Sequence, residues 1–150
     1  MLDIDAILDF DDDIASRVRD SVMVIAMTGW FDAAGAATRA LTWLTKDAPN
    51  RIVASIDPDP FFDFTQQRPE AYLDEDGDRQ IRWPENDFEV IRFPDSMRDL
   101  VILNGVEPHV HWSSFIECVT TVYEKLESSL VVTLGAVADA VPHTRLPRVI

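Results

Sequence analysis

Five side chains have the types and spacing for a divalent-metal centre: Asp57 and Asp59, the paired imidazoles His109 and His111, and His143. Along an extended segment, residues i and i+2 project from the same side. His109 and His111 would therefore present two nitrogens together, with Asp57 or Asp59 as an oxygen ligand. That arrangement would suit a metal-assisted hydrolase or transferase acting on a small molecule, with His143 as general base. The two histidines of this one loop also fit a plainer role, as hydrogen-bonded surface or cap residues. Nucleophile and phosphate signatures are missing: there is no Gly-x-Ser-x-Gly elbow, no Gly-Lys-Ser/Thr loop and no Gly-x-Gly-x-x-Gly turn. The acidic run 9–13 lacks the loop glycine and terminal Glu of an EF-hand. No catalytic residue, metal or cofactor is assigned, and a non-catalytic protein is the leading reading.

The elements that must position these groups are those of an α/β fold. Residues 22–27 form an apolar run without alternation, the pattern of a strand covered on both faces. Gly29 supplies the backbone freedom for a sharp exit. Asp32 is placed to cap an alanine-rich helix whose thin stripe of Ala33, Ala37, Ala40, Leu41 and Leu44 lets helix and sheet approach closely. Residues 51–56, 100–103 and 129–134 read as further central strands, and 88–93 as another strand or a strand extension. The first two strands and their helix make a β-α-β unit, which crosses right-handed and sends its strand-end loops to one rim. Asp-Gly at 76–77 sets the turn of a hairpin between 70–74 and 79–83. Ser114 with Glu117 is a capping box opening a helix that runs to about 126.

These assignments predict a three-layer α/β/α domain with a mixed, mainly parallel central sheet, phosphorylase- or hydrolase-like, plus a β-hairpin insertion. Residues 1–20 read as an N-terminal arm and 21–150 as the α/β domain. Crevices beyond strand carboxyl ends are where open α/β sheets bind ligands. The candidate rim comprises Trp30, Asp32, Asp57, Asp59, Phe62, Glu107, His109, His111, Trp112, His143 and Arg145. Six loop aromatics, Trp30, Phe31, Phe61, Phe62, Phe64 and Trp112, fall there. About half are expected to fold inward, and the rest to form an apolar patch suited to protein contact.

Composition narrows the partners. With 27 acidic against 13 basic residues, the formal charge of −14 repels phosphate backbones and anionic membrane surfaces, so neither nucleic acid nor membrane is expected. A single cysteine, Cys118, allows no internal disulfide and suits a reducing compartment. No signal peptide or membrane span is apparent in the 150 residues, and a cytoplasmic location is expected.

Several motifs follow one another along the chain. They are Gly29-Trp30-Phe31-Asp32-Ala33-Ala34-Gly35, Phe62-Asp63-Phe64 with Arg68-Pro69, Leu103-Asn104-Gly105-Val106-Glu107-Pro108 with Trp112, and Gly135-Ala136 with Val141-Pro142-His143-Thr144-Arg145. Together they resemble the proteasome-assembly-chaperone family, of the PAC2 type, and most closely its actinobacterial branch. The resemblance implies the three-layer fold named above, a homo-oligomer such as a trimer, no established catalytic activity, and proteasome subunits as partners. Eukaryotic relatives hold proteasome α-subunits through a C-terminal hydrophobic-Tyr-any-residue tail, whereas this sequence ends Arg148-Val149-Ile150. Family members continue past this point, so the resemblance is to their amino-terminal portion.

Overall fold

The computed structural model describes residues 2–140, 142 and 144–146. The strand start expected at 149–150 lies outside the described residues. In chain order the elements are α1 (Ile4–Ile7), β1 (Leu8–Phe10), α2 (Asp12–Ala15), β2 (Val22–Thr28), a 3-10 turn (Ala33–Gly35) and α3 (Ala36–Thr45). They continue with β3 (Asn50–Ile56), β4 (Glu70–Leu73), β5 (Arg79–Arg82), β6 (Asn86–Arg92), β7 (Asp99–Val106), α4 (Trp112–Lys125) and β8 (Leu130–Thr133).

Six strands form one sheet in the order β1-β3-β6-β7-β2-β8, while β4 and β5 make a separate antiparallel hairpin. The expectation of a mainly parallel, phosphorylase- or hydrolase-like sheet is overturned. Three of the five pairings in the large sheet, β1 with β3, β3 with β6 and β6 with β7, are antiparallel, and only β2 with β7 and β2 with β8 are parallel. The reason is β6. Only residues 93–98 separate it from β7, and so short a link joins antiparallel neighbours, since a parallel crossover needs a dozen residues or more. Strand β6 wedges between β3 and β7, so β3 is not the neighbour of β2 that a simple β-α-β unit requires. Because β6 opposes both β3 and β7, the four strands β2, β3, β7 and β8 still run in one direction and end at one rim.

Both faces of the sheet are covered, which is why β2 and β7 are continuous apolar runs. Met23, Val101 and Leu103 face α4 through Phe115, Cys118 and Val122, and join Val53 and Phe88 in the larger core. The alternate residues Ala26 and Ile102, with Ile91 of β6, face α3 through Ala37 and Leu41. Small residues at Ala26 and Ala37 permit the close helix-to-sheet contact. The α4 side also receives Leu2, Ile4, Ile7, Ile14 and Val18 from the first segment, with β1 as the edge strand against β3.

The start of α4 differs from the capping-box expectation. The helix begins at Trp112 behind His111, a left-handed N-cap with φ 55°, and Ser114 is buried in the first turn, where its Oγ accepts from the Leu2 N–H at 3.4 Å. A serine within the first turn can reach another segment instead of its own helix end.

Phe88 is fully buried between the central strands and α4. Phe88→Ala is expected to lower the unfolding free energy by about 3–5 kcal/mol, seen as a lower urea midpoint with an unchanged slope.

Candidate functional site

The site is built where β2, β7 and β8 end. Parallel pairing aligns Thr28 with Val106 and sets the two following loops side by side. The Glu107 N–H donates to the Thr28 carbonyl at 2.9 Å, continuing the ladder by one rung. Its carboxylate then turns back over Gly29 and accepts from the N–H groups of Trp30 at 2.9 Å and Phe31 at 3.3 Å. A methyl at position 29 would overlap that carboxylate. Glycine is therefore required here for close approach and not for a positive φ, which falls instead at Ala34 and Gly35.

A second carboxylate fixes the other end of the same loop. Asp32 is 6% exposed and accepts from the Ala37 N–H at 2.7 Å and the Thr38 hydroxyl at 2.5 Å, so it caps α3 from beyond the intervening 3-10 turn. Burial alone would raise its pKa, but the Thr38 hydroxyl and the Ala37 and Thr38 amides outweigh burial and hold it below the ordinary carboxylate value. The loop is also stitched to the end of β8: Ala33 N–H donates to the Ala136 carbonyl and Ala136 N–H to the Phe31 carbonyl, both at 2.9 Å. The Phe31 ring lies over Gly135, where a side chain would collide with it. Beneath this loop is a small cavity of about 120 Å³ lined by Ile25, Met27, Phe31, Glu107, Thr133 and Leu134.

On the other side, Asn86 copies a strand backbone. Its side-chain amide accepts from the Val106 N–H at 2.8 Å and donates to the Val106 carbonyl at 3.2 Å, and Gly105 leaves room for it. Asn86 is 1% exposed and fixes the segment that carries Glu107. Sequence reasoning missed this residue; a strand-leading Asn facing a Gly two positions before the site carboxylate was the available signal.

The remaining predicted residues separate into different roles. His109 accepts the Asp63 N–H at its Nδ1 (2.9 Å), donates its backbone N–H to the Phe61 carbonyl at 2.9 Å, and meets Phe62 edge-on with its ring at 5.8 Å. An imidazole accepting at Nδ1 carries its proton on Nε2, so His109 braces two loops. Hydrogen bonds from Thr65 and Gln66 hold the neighbouring Asp63 carboxyl down to about 2. Asp57 closes a local turn by accepting from the Asp59 N–H at 3.1 Å, and both carboxylates face solvent. His111 is exposed at the head of α4, and Arg145 lies in an exposed turn whose N–H donates to the Pro142 carbonyl. His143 lies outside the described residues. Among the described residues no group of three or more His, Cys, Asp or Glu side chains is placed to hold a metal ion, so the imidazole–carboxylate set is not brought together as a centre. Burial raises the Cys118 thiol to about 11, with the Glu117 charge adding to the effect, which makes it an inert core thiol.

The aromatics sort into two groups. Phe61 and Phe62 are buried, Phe64 is half-buried against Trp83, and Phe61 stacks edge-on with Phe115 at 5.5 Å. Trp30 is 87% exposed, and Phe31 and Trp112 are about half exposed. Trp112 rests on Phe115 at 6.3 Å, so its ring is backed by the core.

The sequence model described as the PAC2 family matches residues 26–150. Among solved structures, a PAC2 family protein from Streptomyces avermitilis is 38% identical with a TM-score of 0.77, over 84% of this chain and 54% of that one. A proteasome-assembly chaperone homologue from Mycobacterium tuberculosis is 35% identical with a TM-score of 0.69, over 83% of this chain and 52% of its own. A protein of unknown function from Corynebacterium glutamicum shares the fold at 22% identity and a TM-score of 0.78, over 93% of this chain and 53% of that one. The chain thus spans about half the length of the structures it matches. No curated protein matches it.

Two outcomes test the loop geometry. A folded-state pKa below the unfolded value means that Asp32 stabilises the protein above about pH 4 and that this stabilisation is lost as pH falls through the folded pKa. Asp32→Asn is expected to cost about 1–2 kcal/mol at neutral pH and to flatten the decline in melting temperature between pH 5 and pH 3. Glu107→Ala removes the acceptor for two loop amides, so hydrogen exchange at Trp30 should quicken by roughly tenfold or more while that of buried Met23 is unchanged.

Proposed function

The chain belongs to the PAC2 family, and from that premise we propose that it is a non-catalytic, chaperone-like protein-binding scaffold whose clients are proteasome components. The observation that carries the reading is the rigid presentation of exposed aromatics at the strand-end rim. Trp30 offers most of its surface to solvent, yet its backbone is held by Glu107 and its loop by Asp32. Large amphipathic rings on a fixed backbone give contact area at little entropic cost, the property of hot-spot residues in protein interfaces. Trp112, half exposed and supported by Phe115, adds a second such ring at the head of α4. The link to proteasome assembly comes from the Mycobacterium tuberculosis relative of that description.

Within this reading the protein self-associates as a homo-oligomer, a trimer being the expected form, and works in the cytoplasm. Its acidity favours a client with a basic rim and disfavours nucleic acid. No helix among the described residues is long and apolar enough to cross a membrane. The alternative of a metal-assisted hydrolase or transferase finds no observation in its favour, because His109 Nδ1 is committed to the Asp63 amide, the Asp57 carboxylate to the Asp59 amide, and no metal-holding group of side chains occurs among the described residues.

Affinity capture of proteasome α-subunits from the native cell tests the proposal. The wild-type protein should retain them, whereas Trp30→Ala, at the most exposed ring, should lose at least roughly tenfold in captured subunit with an unchanged melting temperature, and adding Trp112→Ala should lower capture further while the protein stays folded. A strictly monomeric wild type that captures no proteasome subunit at high concentration would overturn it.

A further inference from the structure

Away from that rim, on the α4 side of the sheet, a cleft of about 360 Å³ opens between the α2 segment and the strands β3 and β6. Its floor is apolar, formed by Ile14, Val18 and Val90, which pack against the larger core. Its border carries three arginines, Arg17, Arg51 and Arg92, and no acidic residue is among its described lining residues. Two of these guanidinium groups are paired with carboxylates just outside the lining, Arg17 with Asp13 and Arg92 with Asp99, which leaves Arg51, among the described residues, as an uncompensated cation in a chain with 27 acids and 13 bases.

The arginines are prepared to different degrees. Arg92 donates through Nε and Nη2 to Asp99 at 2.7 and 2.6 Å and through Nη2 to the Arg17 carbonyl at 3.0 Å. Asp99 is almost fully buried behind it, and about half of the Arg92 side chain stays open. Arg17 pairs with Asp13 at 2.8 Å, with both side chains largely exposed. Arg51 stands opposite Val90 in the β3–β6 register and makes no ion pair among the described residues. A guanidinium has five donors and no acceptor, so whatever meets this border must supply acceptor oxygens. The apolar floor selects for hydrocarbon beside them, and the volume lies at the lower end of small-molecule pockets.

We propose that this cleft binds a small organic anion, an anionic head group on a short aliphatic body, with Arg51 as the principal charge partner and Arg92 as a pre-set flank. The site is independent of the rim aromatics. It can be tested by following the methyl resonances of Ile14, Val18 and Val90 while titrating sodium hexanoate, hexyl phosphate, hexylamine and hexanol into the wild-type protein. The two acids should shift these methyls saturably, their relative affinities telling carboxylate from phosphate, and the amine and alcohol should not. Arg51→Gln should weaken acid binding by roughly tenfold or more, Arg51→Lys should restore part of it, and Arg17→Gln provides a second variant on an exposed side chain. Trp30→Ala should bind the acids like wild type. Methyl shifts absent for both acids, hexanol binding as tightly as hexanoate, or undiminished binding in folded Arg51→Gln and Arg17→Gln would each overturn the proposal.

Discussion

The parallel pairing of β2 with β7 is the constraint from which the rest of the rim follows. Once Val22 is set against Leu100 and Thr28 against Val106, the side chain of Glu107 arrives over the backbone of Gly29. There it does what a third strand would do for two exposed amides. A carboxylate accepting backbone N–H groups makes a charge-assisted bond, stronger than a neutral one. This lets an apolar, aromatic loop keep one shape in water. A shift of the pairing by one residue would turn the strand faces over and remove the carboxylate from the loop.

Three polar side chains do parallel work around this point. Glu107 holds the start of the loop, Asp32 ties its end to α3, and Asn86 fixes the strand from which Glu107 departs. Each has little or moderate exposure and each is satisfied by backbone groups, with the Thr38 hydroxyl added at Asp32, so the cost of removing it from water is repaid locally. Their combined effect is conformational: Trp30 and Phe31 are displayed without the loop being free to collapse onto the core. The buried aromatics show the alternative outcome. Phe61 and Phe62 belong to a loop that His109 pins inward through the Asp63 amide, and they fill the space under α4.

The strands that the sequence made legible were those whose burial is two-sided. Residues 22–27 and 100–103 read as continuous apolar runs because α3 and α4 cover opposite faces. Strand β6 was harder to place, since Phe88 and Ile91 are interspersed with Glu89 and the neighbouring Asn86 and Asp87 suggest a loop. Its central, antiparallel position depends on pairing with β3, more than thirty residues earlier, and no local period encodes a partner at that distance. The same holds for Asn86, whose meaning as a backbone mimic exists only once Val106 lies beside it.

The amino-acid sequence by itself determined where the central strands and the two main helices fall, the acidic composition and the lack of a nucleophile signature, because these depend on local pattern and composition, whereas strand order and direction came from pairing between distant segments. Tertiary structure alone decided which carboxylates and imidazoles are structural, which aromatics face water, and where three arginines gather. Those outcomes rest on contacts between segments far apart in the chain, where a side chain's role is set by the group it meets.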